Sequence, residues 1–200
     1  PDLHDPTIFA DMGKAVKRVC KAIVEKENIL IYGDNDVDGM TGTALLTEFL
    51  SYLGANVFFF VPDSDAIRQE MIVNALGYAL RTECSLMITV DCGITAAASI
   101  DTIAEHNIDV IITDHHQPKV KNKKPYYPKV VSVVHTTKLA GVGVSWFLAR
   151  ELKDLETSLE LVAIGTIADM VPLTKANRSL VKFGLESLKQ SKRIGLNALA

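Results

Sequence analysis

Ile29-Leu30-Ile31-Tyr32-Gly33-Asp34-Asn35-Asp36-Val37-Asp38-Gly39 is the stretch on which the fold turns. It opens with an unbroken apolar run, the signature of a strand buried on both faces. It closes in a glycine and three aspartates at alternate positions. Three carboxylates so close would repel one another without a cation. An EF-hand loop starting at Asp34 would require Glu at its twelfth position, which is Leu45. The segment therefore reads as a buried strand that delivers carboxylates to its carboxyl end, where open α/β sheets bind ligands.

Outward from it, strands and helices alternate. Val57–Val61, Leu86–Val90, Val110–Thr113 and Val130–Val134 read as four more strands. Helical spacing marks Ile8 to Ile23, Ala44 to Leu53, 65–81 and 95–106. After residue 135 the pattern turns helical, over 142–153, 157–168 and 177–190. The expected fold is α/β: a five-stranded, mainly parallel sheet with helices on both faces, followed by a helical C-terminal region. Residues 1–135 would form the α/β metal-binding domain. Residues 136–200 would continue it as helices, in the same domain or as a small subdomain, carrying the last ligand motif.

Two further strand ends carry the same chemistry: Asp91-Cys92-Gly93 and Asp114-His115-His116. Taken singly, Asp91 reads as a helix cap and the paired histidines as incidental. Three such clusters on one sheet edge read as a site. Carboxylates with imidazole and no thiolate pair suit Mn²⁺ or Mg²⁺. A fourth cluster, Gly165 to Leu173, places Asp169 in an apolar helix, where a carboxylate needs a partner or a metal.

The 200 residues are 48% hydrophobic with a net charge of −3, which suits a globular core and excludes a uniformly basic nucleic-acid binder. No apolar run approaches the ~20 residues of a membrane span. Cys20, Cys84 and Cys92 form no C-x-x-C pair, so reduced thiols and a cytoplasmic location are expected. Charge is unevenly spread. From His115 to Arg150 there is no acidic residue, but there are six lysines and Arg150. Tyr126 and Tyr127 interrupt the lysine run, and lysines with aromatic faces suit a single strand. Lys121, Lys123, Lys124, Tyr126 and Tyr127 are thus candidate substrate contacts in a mobile loop over 117–129; a solvated loop is the plainer alternative. Gly141 and Gly143 would let N–H groups approach a phosphate at a helix start, or would simply pack that helix closely.

The ordered motifs resemble the DHH phosphoesterase superfamily, and most closely its RecJ-like branch of single-strand exonucleases. The matching segments are G-D-x-D-x-D-G (Gly33 to Gly39), D-C-G-I (Asp91 to Ile94), Asp114-His115-His116, L-A-G-V-G-V (Leu139 to Val144), G-T-x-A-D-x-V-P-L (Gly165 to Leu173) and the pair Asn177-Arg178. The opening Leu3-His4-Asp5-Pro6 is also similar. The resemblance implies a phosphodiesterase with two Mn²⁺ or Mg²⁺ ions per site, degrading single-stranded DNA 5′ to 3′ in repair and recombination. It implies that Asp38, Asp91, His115 and Asp169 hold one ion. Asp36 and Asp91 would share the other, with Asp34 as a ligand or an anchor behind it. His116 would serve the phosphoryl oxygens or the geometry of the triplet, Asp114 would orient an imidazole, and Arg178 would contact substrate. It further implies a second, substrate-binding domain across a cleft, absent from these 200 residues. Two departures stand out. Asn35 replaces a frequent aromatic residue, and Gly77-Tyr78-Ala79 has its nearest upstream arginine only at Arg68. Alternatives are an oligoribonuclease or cyclic-dinucleotide phosphodiesterase of the superfamily, and a non-catalytic replication scaffold.

Overall fold

The computed structural model describes residues 9–63, 68–121, 123–154 and 158–199. The opening Leu3–Pro6 similarity, Ile8, and the first residues of the helices expected from 65 and 157 lie outside them.

Five strands build one sheet: β1 (Asn28–Gly33), β2 (Asn56–Phe60), β3 (Cys84–Val90), β4 (Asp109–Asp114) and, after a small hairpin of β5 (Lys119–Lys121) and β6 (Lys124–Tyr126), β7 (Ser132–His135). The order is β2-β1-β3-β4-β7, and every pairing is parallel. The chain runs outward from β1 to β2, then returns past β1 to place β3 on the other side. The loops after β1 and β3 therefore diverge above their shared border. Such a reversal opens a crevice at the carboxyl edge of a doubly wound sheet.

Both faces are covered, as the unalternating strands require. Ile29 and Ile31 point to one side with Leu86, Ile88 and Val90, meeting helices α1 (Met12–Val24), α2 (Val37–Tyr52) and α5 (Gly141–Leu152). Leu30, Tyr32, Met87 and Ile112 point to the other, toward α3 (Arg68–Arg81) and α4 (Ala97–Glu105). Leu161 and Val162 of α6 (Leu159–Ala168) and Leu180 of α7 (Lys175–Leu188) join the first core, and a short α8 (Ile194–Leu199) follows. The C-terminal helices thus share a core with α2 and bring Asp169 to the sheet edge.

Periodicity did not signal the hairpin. Where composition suggested an unstructured loop, Lys121 pairs with Lys124 and Lys119 with Tyr126 across an antiparallel ladder. Val120 stays 70% exposed, so this ladder is held by its backbone and turn, without a buried face to announce it.

A candidate metal centre at the carboxyl edge

Each acidic cluster is positioned by the end of a strand or helix. Asp36 caps α2, its Oδ1 accepting the Gly39 N–H at 2.9 Å. Asp34 Oδ1 accepts the Asn35 N–H at 2.9 Å, and its backbone N–H bonds to Val90 O on the neighbouring strand. Asp38 turns inward from the first turn of α2 and is 1% exposed. Its Oδ2 accepts the Gly141 N–H at 2.6 Å and its Oδ1 the Val142 N–H at 2.9 Å.

That pairing corrects the phosphate reading of the L-A-G-V-G-V motif. The N-terminus of α5 already holds an anion, the Asp38 carboxylate, and both Gly141 and Gly143 are buried. Gly141 is glycine because of close approach: a Cβ there would lie 2.6 Å from both Cβ and Oδ1 of Asp91. Gly165 does the same on α6, where a Cβ would come within 2.9 Å of Asp38 Oδ1.

Asp91 follows β3 in the left-handed region, at φ +60, a conformation that Asp tolerates better than most residues. It is fully buried, and neither carboxylate oxygen has a hydrogen-bond partner among the described residues. His115 Nε2 lies 3.0 Å from Asp91 Oδ1, 3.7 Å from Asp169 Oδ2 and 3.9 Å from Asp38 Oδ2. This nitrogen and Asp169 Oδ2 are also buried without hydrogen-bond partners, so the atoms face one another at short range without aligned bonds. Ligand atoms about 2.1 Å from a shared ion and about 90° apart sit roughly 3 Å from one another. The spacing is that of ligands around a small hard cation.

Among the described residues, two groups of ligand atoms lie within 4.8 Å of one another: Asp38, His115 and Asp169, and Asp91, His115 and His116. The first matches the first-ion set, with Asp91 beside it. The second adds His116, whose Nδ1 lies 3.8 Å from Asp91 Oδ1 while meeting Asp114 at 2.8 Å; Asp36, expected to share an ion with Asp91, gives its Oδ1 to the helix cap.

Asp114 does not face this cavity. It is 1% exposed and accepts the N–H groups of Ile94, His115 and His116 and, at 2.8 Å, Nδ1 of His116. Burial alone would raise its pKa, but these bonds outweigh burial and lower it. Asp114 is thus the built-in anion that shapes the turn. Cys92 Sγ is directed to Tyr32 O, and burial and the neighbouring aspartates hold its thiol well above the ordinary range.

Asp91 and Asp38 are left uncomfortable. Burial raises Asp91 to about 7 and Asp38 to about 6, the latter despite its two backbone N–H bonds. Burial would lower His115, but Asp91, Asp169 and Asp38 together raise it to about 9. Without a cation the cluster holds protons, the behaviour expected of a site that exchanges them for metal.

The lysines form an exposed face on the hairpin, with Lys121 Nζ 5.2 Å from the Tyr126 ring centre. Tyr127 is 43% exposed. Lys123 occupies the hairpin turn at φ +62. Arg178 is exposed on α7, and its neighbour Asn177 is buried. In the sequence Asn177 stands out only as half of a motif pair. Its Nδ2 donates to Lys138 O and Pro172 O, tying the Asp169 loop to the α5 entrance. The signal that could have found it is an amide in the first turn of an amphipathic helix, on the face that turns inward.

The model of the DHH family, N-terminal domain, matches residues 28–166. The chain belongs to the DHH family. Among curated relatives, the single-stranded-DNA-specific exonuclease RecJ of Bacillus subtilis is 40% identical over 211 aligned positions, covering 99% of this chain and 26% of its own length. The RecJ of Thermus thermophilus is 38% identical, covering 90% and 28%. A crystal structure of exonuclease RecJ bound to manganese superposes with a TM-score of 0.81 at 35% identity, over 96% of this chain and 51% of that one. The Thermus thermophilus RecJ in complex with Mn²⁺ gives 0.80 at 34% identity, over 98% and 30%. The chain therefore spans about a quarter of the length of these curated RecJ relatives.

Proposed function

We propose that this chain is the metal-binding catalytic part of a phosphodiesterase that degrades single-stranded DNA from the 5′ end, acting in DNA repair and recombination in the cytoplasm. The observation that carries the reading is the ring of buried, unpartnered oxygen and nitrogen atoms around His115 Nε2. Nothing but a cation or bound protons satisfies such a ring. Supporting it are the RecJ relatives, the three free cysteines, and the finding that no helix among the described residues is long and apolar enough to cross a membrane.

In this reading Asp38, Asp91, His115 and Asp169 would hold one Mn²⁺ or Mg²⁺, and Asp91 and Asp36, with Asp34 and His116 nearby, would hold the second. When bound, two such ions supply the charge that activates a water and stabilises the leaving oxygen of an in-line displacement. The chain's own part is positional. The α5 N–H groups lock both oxygens of Asp38, so its direction is fixed before any ligand arrives. Asp114 holds Nδ1 of His116, leaving Nε2 as the nitrogen available toward a phosphoryl oxygen. Lys121, Lys123 and Lys124 track the phosphates, Tyr126 and Tyr127 offer stacking faces, and Arg178 adds a contact from α7. A second domain closing over this edge would complete the substrate path.

The test is a Mn²⁺-titrated assay on 5′-labelled and 3′-labelled single strands, run beside a cyclic dinucleotide. Release of the 5′ label first, dependent on metal, is expected. Turnover of the cyclic dinucleotide alone would assign the site to another branch of the superfamily.

A further inference from the structure

His135 is absent from every motif above, yet the structure places it against the triplet. It is the last residue of β7 and pairs in register with Asp114, the last residue of β4. Beyond that pair the backbone ladder ends, and the chain after β4 turns away through His115 and His116. A turn carbonyl just past a ladder loses the partner the next strand would have provided. The His135 ring takes over that role: its Nε2 lies 2.8 Å from His116 O. A carbonyl only accepts, so Nε2 carries the proton and donates. On the opposite flank the Tyr127 ring meets the imidazole edge-on, with centroids 6.2 Å apart and planes at 67°. His135 is half-buried between them.

The turn 114–116 is therefore held from two directions. Asp114 accepts its N–H groups and the His116 ring from within. His135 fixes its carbonyl side from the neighbouring strand and joins it to the residue that follows the lysine hairpin. We infer that His135 is a positioning residue: it sets the His115–His116 backbone for metal binding and couples that backbone to Tyr127. A base stacked on Tyr127 would bear on the ring that holds the triplet. This rests on the metal-centre reading above.

The test compares wild type, His135→Phe and His135→Gln, measuring Mn²⁺ affinity by calorimetry and the metal-free Tm. Outer partners of metal ligands typically contribute about 10–100-fold in affinity. His135→Phe keeps the ring and loses the donor, and it is expected to weaken Mn²⁺ binding about 10-fold with little change in metal-free Tm. His135→Gln restores a donor at similar reach and should recover most of the affinity. Unchanged affinity in His135→Phe overturns the inference. So does a fall in affinity that tracks Tm equally in both variants, which would make His135 a packing residue. A measurement on wild type alone covers failure of a variant to fold: imidazole ¹⁵N spectra of the metal-free chain should show His135 protonated at Nε2, and an Nδ1–H tautomer overturns the proposal. Wild type that binds no Mn²⁺ at all would instead bring down the metal-centre reading, and the inference with it.

Discussion

The two edges of the same sheet carry buried charge in opposite ways. At the amino edge, Arg18 of α1 donates to Glu27 and to Asp109, each at 2.6 Å, and Ser85 Oγ donates to the same Glu27. Burial would raise Glu27, but Arg18 and Ser85 outweigh it and lower its pKa. Charge there is matched within the chain. At the carboxyl edge, Asp38, Asp91 and Asp169 converge on one imidazole, and burial drives Asp38 and Asp91 upward. Both clusters are built from ordinary residues at strand ends. One has its counter-charge and serves the fold. The other sets only the His115 imidazole against three carboxylates and suits an added cation.

The largest effect should follow from Asp91→Asn. Asn tolerates the left-handed φ of this position, so the backbone is spared while the bridging charge is lost. Metal-dependent cleavage should fall below detection in a labelled-strand assay, with a metal-free Tm close to wild type, because the burial cost of Asp91 and its pairing with His115 are lost together. A Tm several degrees lower would place Asp91 in the same stabilising class as the amino-edge carboxylates. Arg18→Met should do the reverse. It strands Glu27 and should cost about 2–3 kcal/mol in urea unfolding, less than a fully buried pair because Asp109 is half exposed. Its Mn²⁺ affinity should match wild type, and a changed affinity would show the two edges to be coupled.

Asp34→Ala should be intermediate, lowering activity about 10–100-fold, the range for a residue that supports ligands without binding metal. Loss as complete as in Asp91→Asn would make it a ligand. The smallest effect is on pH dependence. Asp38, Asp91 and His115 all have folded pKa values above their unfolded ones of 3.8, 3.8 and 6.5. The folded chain then binds protons more tightly than the unfolded one, so their contribution to metal-free stability is lost as pH rises from about 4 to about 9. Mn²⁺ displaces those protons, and its stabilisation should grow across the same window. A Tm difference between Mn²⁺-bound and metal-free protein that stays constant from pH 5 to about pH 9 would contradict this.

Much of this was legible from residue order. A strand buried on both faces must be apolar at every position, so 29–32, 86–90 and 110–113 declared themselves. Carboxylates with imidazole and no thiolate pair suit Mn²⁺ or Mg²⁺, so the clusters at three strand ends and Asp169 in its apolar helix stood out as one site, whereas the grouping of Asp38, Asp91, His115 and Asp169 on one ion came from the family resemblance. The hairpin was not legible, because it buries no face whose period could reveal it. Nor was the role of Gly141, since a glycine-rich helix start suits a phosphate and an aspartate carboxylate alike.

By itself, then, the sequence determined the layers, the sheet edge that carries the chemistry and the kind of ion that suits it, because burial and donor hardness are properties of residue type and local order. Only the tertiary structure decided the strand order β2-β1-β3-β4-β7, the pairing of Asp38 with the N-terminus of α5, the nearness of His116 to Asp91, and the bond from His135 to the triplet. Each of these joins segments distant in sequence or turns on which way a side chain points, and local pattern carries neither distance nor direction between elements.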